Sequence, residues 1–330
     1  MTLPAPNPPT PFSQLHHISF TDADNIAKFI NSIAAKLSYP YPQLVADDIY
    51  CSIDRQIMWI DNLESKKIFD GLTASSMANL WFYKKTKRII EILTDDILPF
   101  SALCINEEND YGEYSECMMH LGHHKAFCPD AQGVPPIKKD KENNFIFCTT
   151  NTFNLARHWD EYADKSRGAC INISFDFSKY NTLLQTGQLP LYLYLALTRG
   201  RVFYDHGYDL DFFKEVVERV QLNYETSLTF EGSKKMAILY KRDKYRWEDE
   251  SRIAIDLDAK LGEDSARDYL LNQYANFFSL DPHKHILFVK NNNPLFSWEI
   301  KGVYAGPRMS LQDFNNLKAL CAAKSIPFYP

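Results

Sequence analysis

The chain carries no G-x-x-x-x-G-K-S/T, no G-x-G-x-x-G and no G-x-S-x-G. The usual phosphate-cradling loops and the serine elbow of hydrolases therefore lack support. It has no uninterrupted apolar run long enough to span a bilayer, so no transmembrane helix and no membrane partner are expected. Positive charge is not in excess: 36 Lys and Arg face 42 Asp and Glu, for a formal net charge of −6. A broad basic face for nucleic acid or anionic lipid is thus not expected. The amino terminus, M-T-L-P-A-P-N-P-P-T-P-F, lacks the charged start and apolar stretch of a secretory signal. Residues 1–12 read instead as an extended, proline-rich arm. Seven cysteines (Cys51, Cys104, Cys117, Cys128, Cys148, Cys170, Cys321) are odd in number, scattered and mostly set in apolar sequence. Reduced buried thiols and a cytosolic working compartment follow.

What remains is a folded, soluble chain. Its 330 residues are 45% apolar and 14% aromatic, enough for one large or two modest cores. The stretch L-H-H-I-S-F reads as a first strand, and Thr21 as the N-cap of the helix that follows. Apolar spacing predicts helices over about 74–97, 209–240, 264–278 and 311–324. Strands are predicted at N-F-I-F-C-T-T, G-A-C-I-N-I-S-F-D, P-L-Y-L-Y-L-A-L, H-I-L-F-V and E-I-K-G-V-Y-A-G, with a helix at L-A-R-H-W-D-E-Y-A-D-K after the first of these. Residues 106–143 form a long irregular insertion rich in charge, Asn, Gly and Pro. Helices and strands mix without regular alternation, which predicts an α+β fold.

The most informative segment is Arg246-Trp247-Glu248-Asp249-Glu250-Ser251-Arg252, followed by Ile253, Ala254 and Ile255. Read as one strand, it puts Glu248 and Glu250 on the same face, about 7 Å apart. Two neighbouring carboxylates cost free energy unless a cation, a donor or a chemical task offsets them.

Three segments in order, F-C-T-T, W-D-E-Y-A-D-K-S-R-G-A-C-I-N-I-S-F-D and R-W-E-D-E-S-R-I, resemble a bacterial domain family related to the ADP-ribosyltransferase superfamily. K-G-V-Y-A-G-P-R resembles that family's late strand and turn. The chain departs from the family pattern at Glu161, where the family has histidine, and at Ser251, where it has tryptophan. His16 and His17 replace its first-strand lysine–tyrosine–arginine run. The resemblance implies a split mixed or antiparallel β-sheet core with flanking helices. That catalytic region would span residues 144–330, preceded by a helical amino-terminal part over 13–143.

It also implies an activity, transfer of ADP-ribose from NAD⁺ to an arginine of a target protein. In that chemistry a carboxylate holds the ribose and faces the oxocarbenium-like transition state, the role implied for Glu250. An acid two positions earlier orients the acceptor guanidinium, the role implied for Glu248. His17, with His16 as its rival, is implied to bind NAD⁺ from the first strand. Thr149 and Thr150 stand where the family has its serine motif, and Tyr162 is a candidate to stack on nicotinamide. Arg157, Arg167 and Arg252 are candidate diphosphate contacts, whereas Trp159 reads as core. The alternatives are NAD⁺ hydrolysis by the same site, and a non-catalytic binding module on the same fold. NAD⁺ is a substrate and no metal is expected. Cys117, His120, His123, His124 and Cys128 offer N/S ligands at close spacing, but match no zinc module and read as a polar loop. Delivery by a bacterium into a host cytosol, as an effector or toxin, is an expectation from the resemblance.

Overall fold

A computed structural model describes residues 10–11, 20–36, 43–52, 57–60, 62–73, 75–102, 143–204, 208–224, 227–230, 238–241 and 243–330. His16, His17 and the Cys117–Cys128 cluster lie outside them. The chain divides into two compact units, each assembled from three stretches of sequence.

The first unit takes Met1–Ala74, Asn106–Pro135 and Phe203–Asp243. Its helix Phe20–Lys36 buries Ala23, Ile26, Ala27, Ile30, Ile33 and Ala34, a stripe at three- and four-residue spacing. Thr21 lies inside this helix, not at its cap. The stripe shares a core with Ile49, Met58, Ile60, Leu228 and Phe230. Those five belong to a sheet ordered Thr10–Pro11, Ile49–Ser52, Ile57–Ile60 and Ser227–Phe230. The helix expected to run to about residue 240 ends at Tyr224, and its chain returns as a strand at Ser227.

The second unit takes Ser75–Ile105, Pro136–Val202 and Lys244–Pro330. Ten of its described strands form one mostly antiparallel sheet. They are β1 (Leu80–Lys84), β2 (Ile97–Ala102), β3 (Asn144–Thr150), β4 (Ala169–Asp176), β5 (Leu197–Arg201), β6 (Glu250–Asp256), β7 (Phe278–Asp281), β8 (Ile286–Lys290), β9 (Ser297–Ala305) and β10 (Phe328–Tyr329). The order is β7-β8-β2-β3-β1-β4-β9-β10, with β6 on the other edge of β3 and β5 beyond it. Helices α1 (Thr86–Asp95), α2 (Ala156–Tyr162), α3 (Ser178–Gln185), α4 (Leu191–Ala196) and α5 (Leu311–Ala323) pack around it.

Strand β3 governs the layout. One edge pairs with β6 along its whole length, from Glu250 opposite Thr150 to Asp256 opposite Asn144. The other edge is shared: Phe145 and Ile146 pair with β2, and Thr150 pairs with Trp81 of β1. No strand pairs with Phe147–Thr149 on that edge among the described residues, so the sheet forks there.

Three expected elements change type. L-W-F-Y-K, read as part of a helix, is β1: its Leu80, Phe82 and Tyr83 are buried, and the helix begins only at Thr86. P-L-Y-L-Y-L-A-L alternates like a strand, yet Pro190 precedes the helical turns of α4, and extended chain begins at Leu197. The helix expected near 264–278 is reduced to Ala266–Asp268 and the π-helical Tyr269–Gln273.

The turn from α2 into β4 is tight. Asp164, Lys165 and Ser166 are all left-handed, at φ 52°, 55° and 68°. At Gly168 a Cβ would sit 2.3 Å from the carbonyl oxygen of Lys84. Both clashing atoms belong to backbone, so Gly168→Ala forces β1 and β4 apart. A loss of about 1–3 kcal/mol is expected, read as a lower urea midpoint with an unchanged slope.

Candidate functional site

The acidic pair does not lie on one strand. Asp243–Glu248 is a 3-10 helix, Asp249 is left-handed at φ 43°, and β6 starts at Glu250. Alternation therefore does not relate the two glutamates, though both are buried, at 7% and 5% exposure. Asp249 is pinned between them. Its carboxylate accepts from Arg201 Nη2 at 2.8 Å and Thr152 Oγ1 at 2.7 Å. Its carbonyl oxygen accepts from the main chain and the side-chain amide of Asn151, both at 2.8 Å.

Alternation does relate Glu250 to Arg252. Two positions apart on β6, they form a forked pair: Nε to Oε1 at 2.9 Å and Nη2 to Oε2 at 3.1 Å. Arg252 is only 6% exposed. Burial would lower its pKa, but the charges of Glu250 and Glu248 raise it above the ordinary arginine value. Glu248 Oε1 accepts from the Tyr162 hydroxyl at 2.9 Å. Burial, then the Glu248 carboxylate, push that phenol upward from its usual range.

Register places the remaining candidates. Glu250 faces Thr150, Thr150 faces Trp81, Trp81 faces Asn172 and Asn172 faces Gly302, a row across five strands. Thr150 thus shares a face with Glu250. Thr149 points to the other face and donates to the Ser251 carbonyl at 3.0 Å. Arg157 is 57% exposed, bonded through Nε to Glu161 at 2.7 Å and stacked on Trp247. Arg167, 60% exposed, pairs with Asp164. Trp159 is core, packed with Tyr83, Ala163 and Cys170.

A cavity of about 590 Å³ opens in the fork of the sheet. Lys84, Lys85, Lys87 and Arg88, where β1 passes into α1, line it together with Cys148 and Tyr162. Its acids are Glu91 and Glu161, so four cations against two leave an excess of two positive charges. Glu91 is paired with Arg88, and Glu161 with Arg157 outside the wall. Glu248, Glu250 and Arg252 form a second group that does not line it. Tyr162 and Cys148 join the two sides: one bonds Glu248, and the other faces Arg252 across β3 and β6.

The cationic run escaped the reading of the sequence, although its signal, K-K-T-K-R directly after an aromatic strand, is plain once L-W-F-Y-K is extended. His158 escaped as well. It is fully buried among the rings of Tyr83, Tyr162 and Trp247, and neither ring nitrogen meets a hydrogen-bond partner among the described residues. Among those residues no cluster of His, Cys, Asp or Glu could hold a metal ion, and no helix is long and apolar enough to cross a membrane. No protein family, curated protein or solved structure matches the chain.

Glu250→Ala strands a buried guanidinium and is expected to cost about 3–5 kcal/mol. Adding Arg252→Met should restore most of that loss, and a urea-unfolding cycle measures both. His158 supplies a pH signature. Burial lowers its pKa, against smaller opposing effects from the Glu248 main chain and the charges of Asp249 and Glu161. The unfolded chain then takes up this proton first. Stability is full above the unfolded value of about 6.5 and falls as the pH drops through it. Between about pH 7.5 and pH 5.5, His158→Phe should lose less stability than the wild type.

Proposed function

We propose that the second unit is an NAD⁺-dependent mono-ADP-ribosyltransferase acting on arginine. The observation that carries this reading is a pair of buried glutamates, one of them bonded to Tyr162 in the lining of a cation-lined cavity in a forked sheet. Lys84, Lys85, Lys87 and Arg88 would receive the diphosphate of NAD⁺, where charge-assisted hydrogen bonds act on a doubly anionic group. Lys84, at the end of β1, would be the strand residue among these contacts.

Glu250 would place negative charge beside the ribose as its bond to nicotinamide breaks, a contribution of about 3–4 kcal/mol for such preorganised groups. Arg252 is then its positioning residue, not a diphosphate contact. It orients the carboxylate through one lone pair on each oxygen. Glu248 would take the acceptor proton. A free guanidinium holds its proton far above neutral pH, so the proton leaves only as the new bond forms. Tyr162, 37% exposed, stands between solvent and Glu248.

The Glu250–Arg252 pair also supports a second reading, a binding module whose carboxylate is already neutralised. Labelled NAD⁺ with agmatine separates the possibilities. Labelled agmatine supports transfer, free ADP-ribose alone marks a glycohydrolase, and saturable binding without nicotinamide release marks the module. For a transferase, Glu250→Gln should abolish labelling while Lys84→Ala raises KM for NAD⁺ about tenfold, or ~1.4 kcal/mol. Wild-type labelling by the Glu250→Gln variant would remove that residue from the chemistry.

A further inference from the structure

Trp247, the neighbour of Glu248, is covered by one stripe of α2. The guanidinium carbon of Arg157 lies 3.9 Å from its ring centroid. The rings of His158 and Tyr162 follow at 5.4 and 6.2 Å, the latter nearly parallel at 14°. Tyr162 in turn donates to Glu248. A planar cation stacked on indole, beside an aromatic wall that ends on a carboxylate, has its guanidinium plane oriented.

Arg157 meets the chemical demands on an acceptor. It reaches Trp247 from solvent, with its side chain 57% exposed. Its Nε is committed to Glu161, which fixes the fork. Its terminal nitrogens, the atoms on which glycosylation occurs, meet no partner among the described residues. Arg167, equally exposed, spends Nη2 on Asp164 and lacks the aromatic seat.

We propose that Arg157 is a self-modification site: the protein ADP-ribosylates its own arginine on the Trp247 shelf. The inference rests on the transferase reading above. In the step, the bond from the ribose anomeric carbon to nicotinamide breaks, and its electron pair neutralises the pyridinium nitrogen. A terminal nitrogen of Arg157 forms the new bond to that carbon. Its proton passes to the Glu248 carboxylate and from there to water, and neutral nicotinamide leaves.

The test incubates the full chain with NAD⁺ and agmatine and maps adducts by peptide mass spectrometry with fragmentation that preserves the glycosidic bond. A parallel arm supplies free ADP-ribose in place of NAD⁺. An adduct on Arg157 that needs NAD⁺ and is absent from Glu250→Gln is the expected result. Modified agmatine with an unmodified Arg157 overturns this inference and leaves the transferase reading standing. An equal adduct from free ADP-ribose overturns it as well, because the enzyme is then not the agent. No adduct on either acceptor overturns both. Should Glu250→Gln fail to fold, the free ADP-ribose arm alone decides whether the adduct is enzymatic.

Discussion

The forked pair of Glu250 and Arg252 is the constraint around which the second unit is arranged. A carboxylate and a guanidinium taken out of water each lose several kcal/mol of hydration, and only good geometry with satisfied neighbours offsets that loss. The sheet supplies the geometry. Both residues lie on one face of β6, and Arg252 lies where that strand is flanked by both β3 and β5. Opposite Arg252 on β5 stands Gly200, which offers no side chain to crowd the guanidinium. Glu248 adds a second negative charge nearby, and its own hydrogen bond runs to Tyr162.

Charge is thereby sorted in depth. The buried acids have Arg252 and Tyr162 as partners, while the lysines line the cavity beside Glu91 and Glu161. Lys84, Lys85 and Lys87 are exposed, so water screens them, whereas burial strengthens the attraction between Glu250 and Arg252. The fork makes room for the cavity. Had β2 and β1 met along β3, the edge of Phe147–Thr149 would be closed, and the lysine-bearing step from β1 into α1 would have no cavity to line.

Much of this was legible in the sequence. Strands β3, β4 and β9, with α2 and α5, come out where pattern and turn residues place them, because in each the apolar period agrees with local propensity. The failures occur where the two disagree. L-W-F-Y-K runs into an amphipathic helix, so one helical period fits the whole stretch, and only the break at Asn79, left-handed at φ 55°, marks the start of a strand. L-Y-L-Y-L-A alternates, but Leu193, Tyr194, Leu195 and Ala196 are all buried, and a segment without a polar face loses the meaning of its period. Glu248 and Glu250 were rightly drawn to one neighbourhood for a wrong reason. A 3-10 turn and a left-handed Asp249 bring them close, where alternation was expected to.

In the proposed transferase, the Glu250–Arg252 pair would support the carboxylate and not silence it. A carboxylate has about four lone-pair positions, and a forked arginine uses one on each oxygen. Arg252 keeps its proton, so it presents a fixed positive charge to Glu250. It also removes the side-chain freedom that an exposed glutamate would surrender on meeting a ligand, which for a long side chain amounts to about 1–2 kcal/mol. A neutral partner such as glutamine would give orientation without the charge. A lysine would give the charge without the planar fork. Among these side chains only arginine provides both, and its place two residues along β6 lets a single strand supply the acid together with its support.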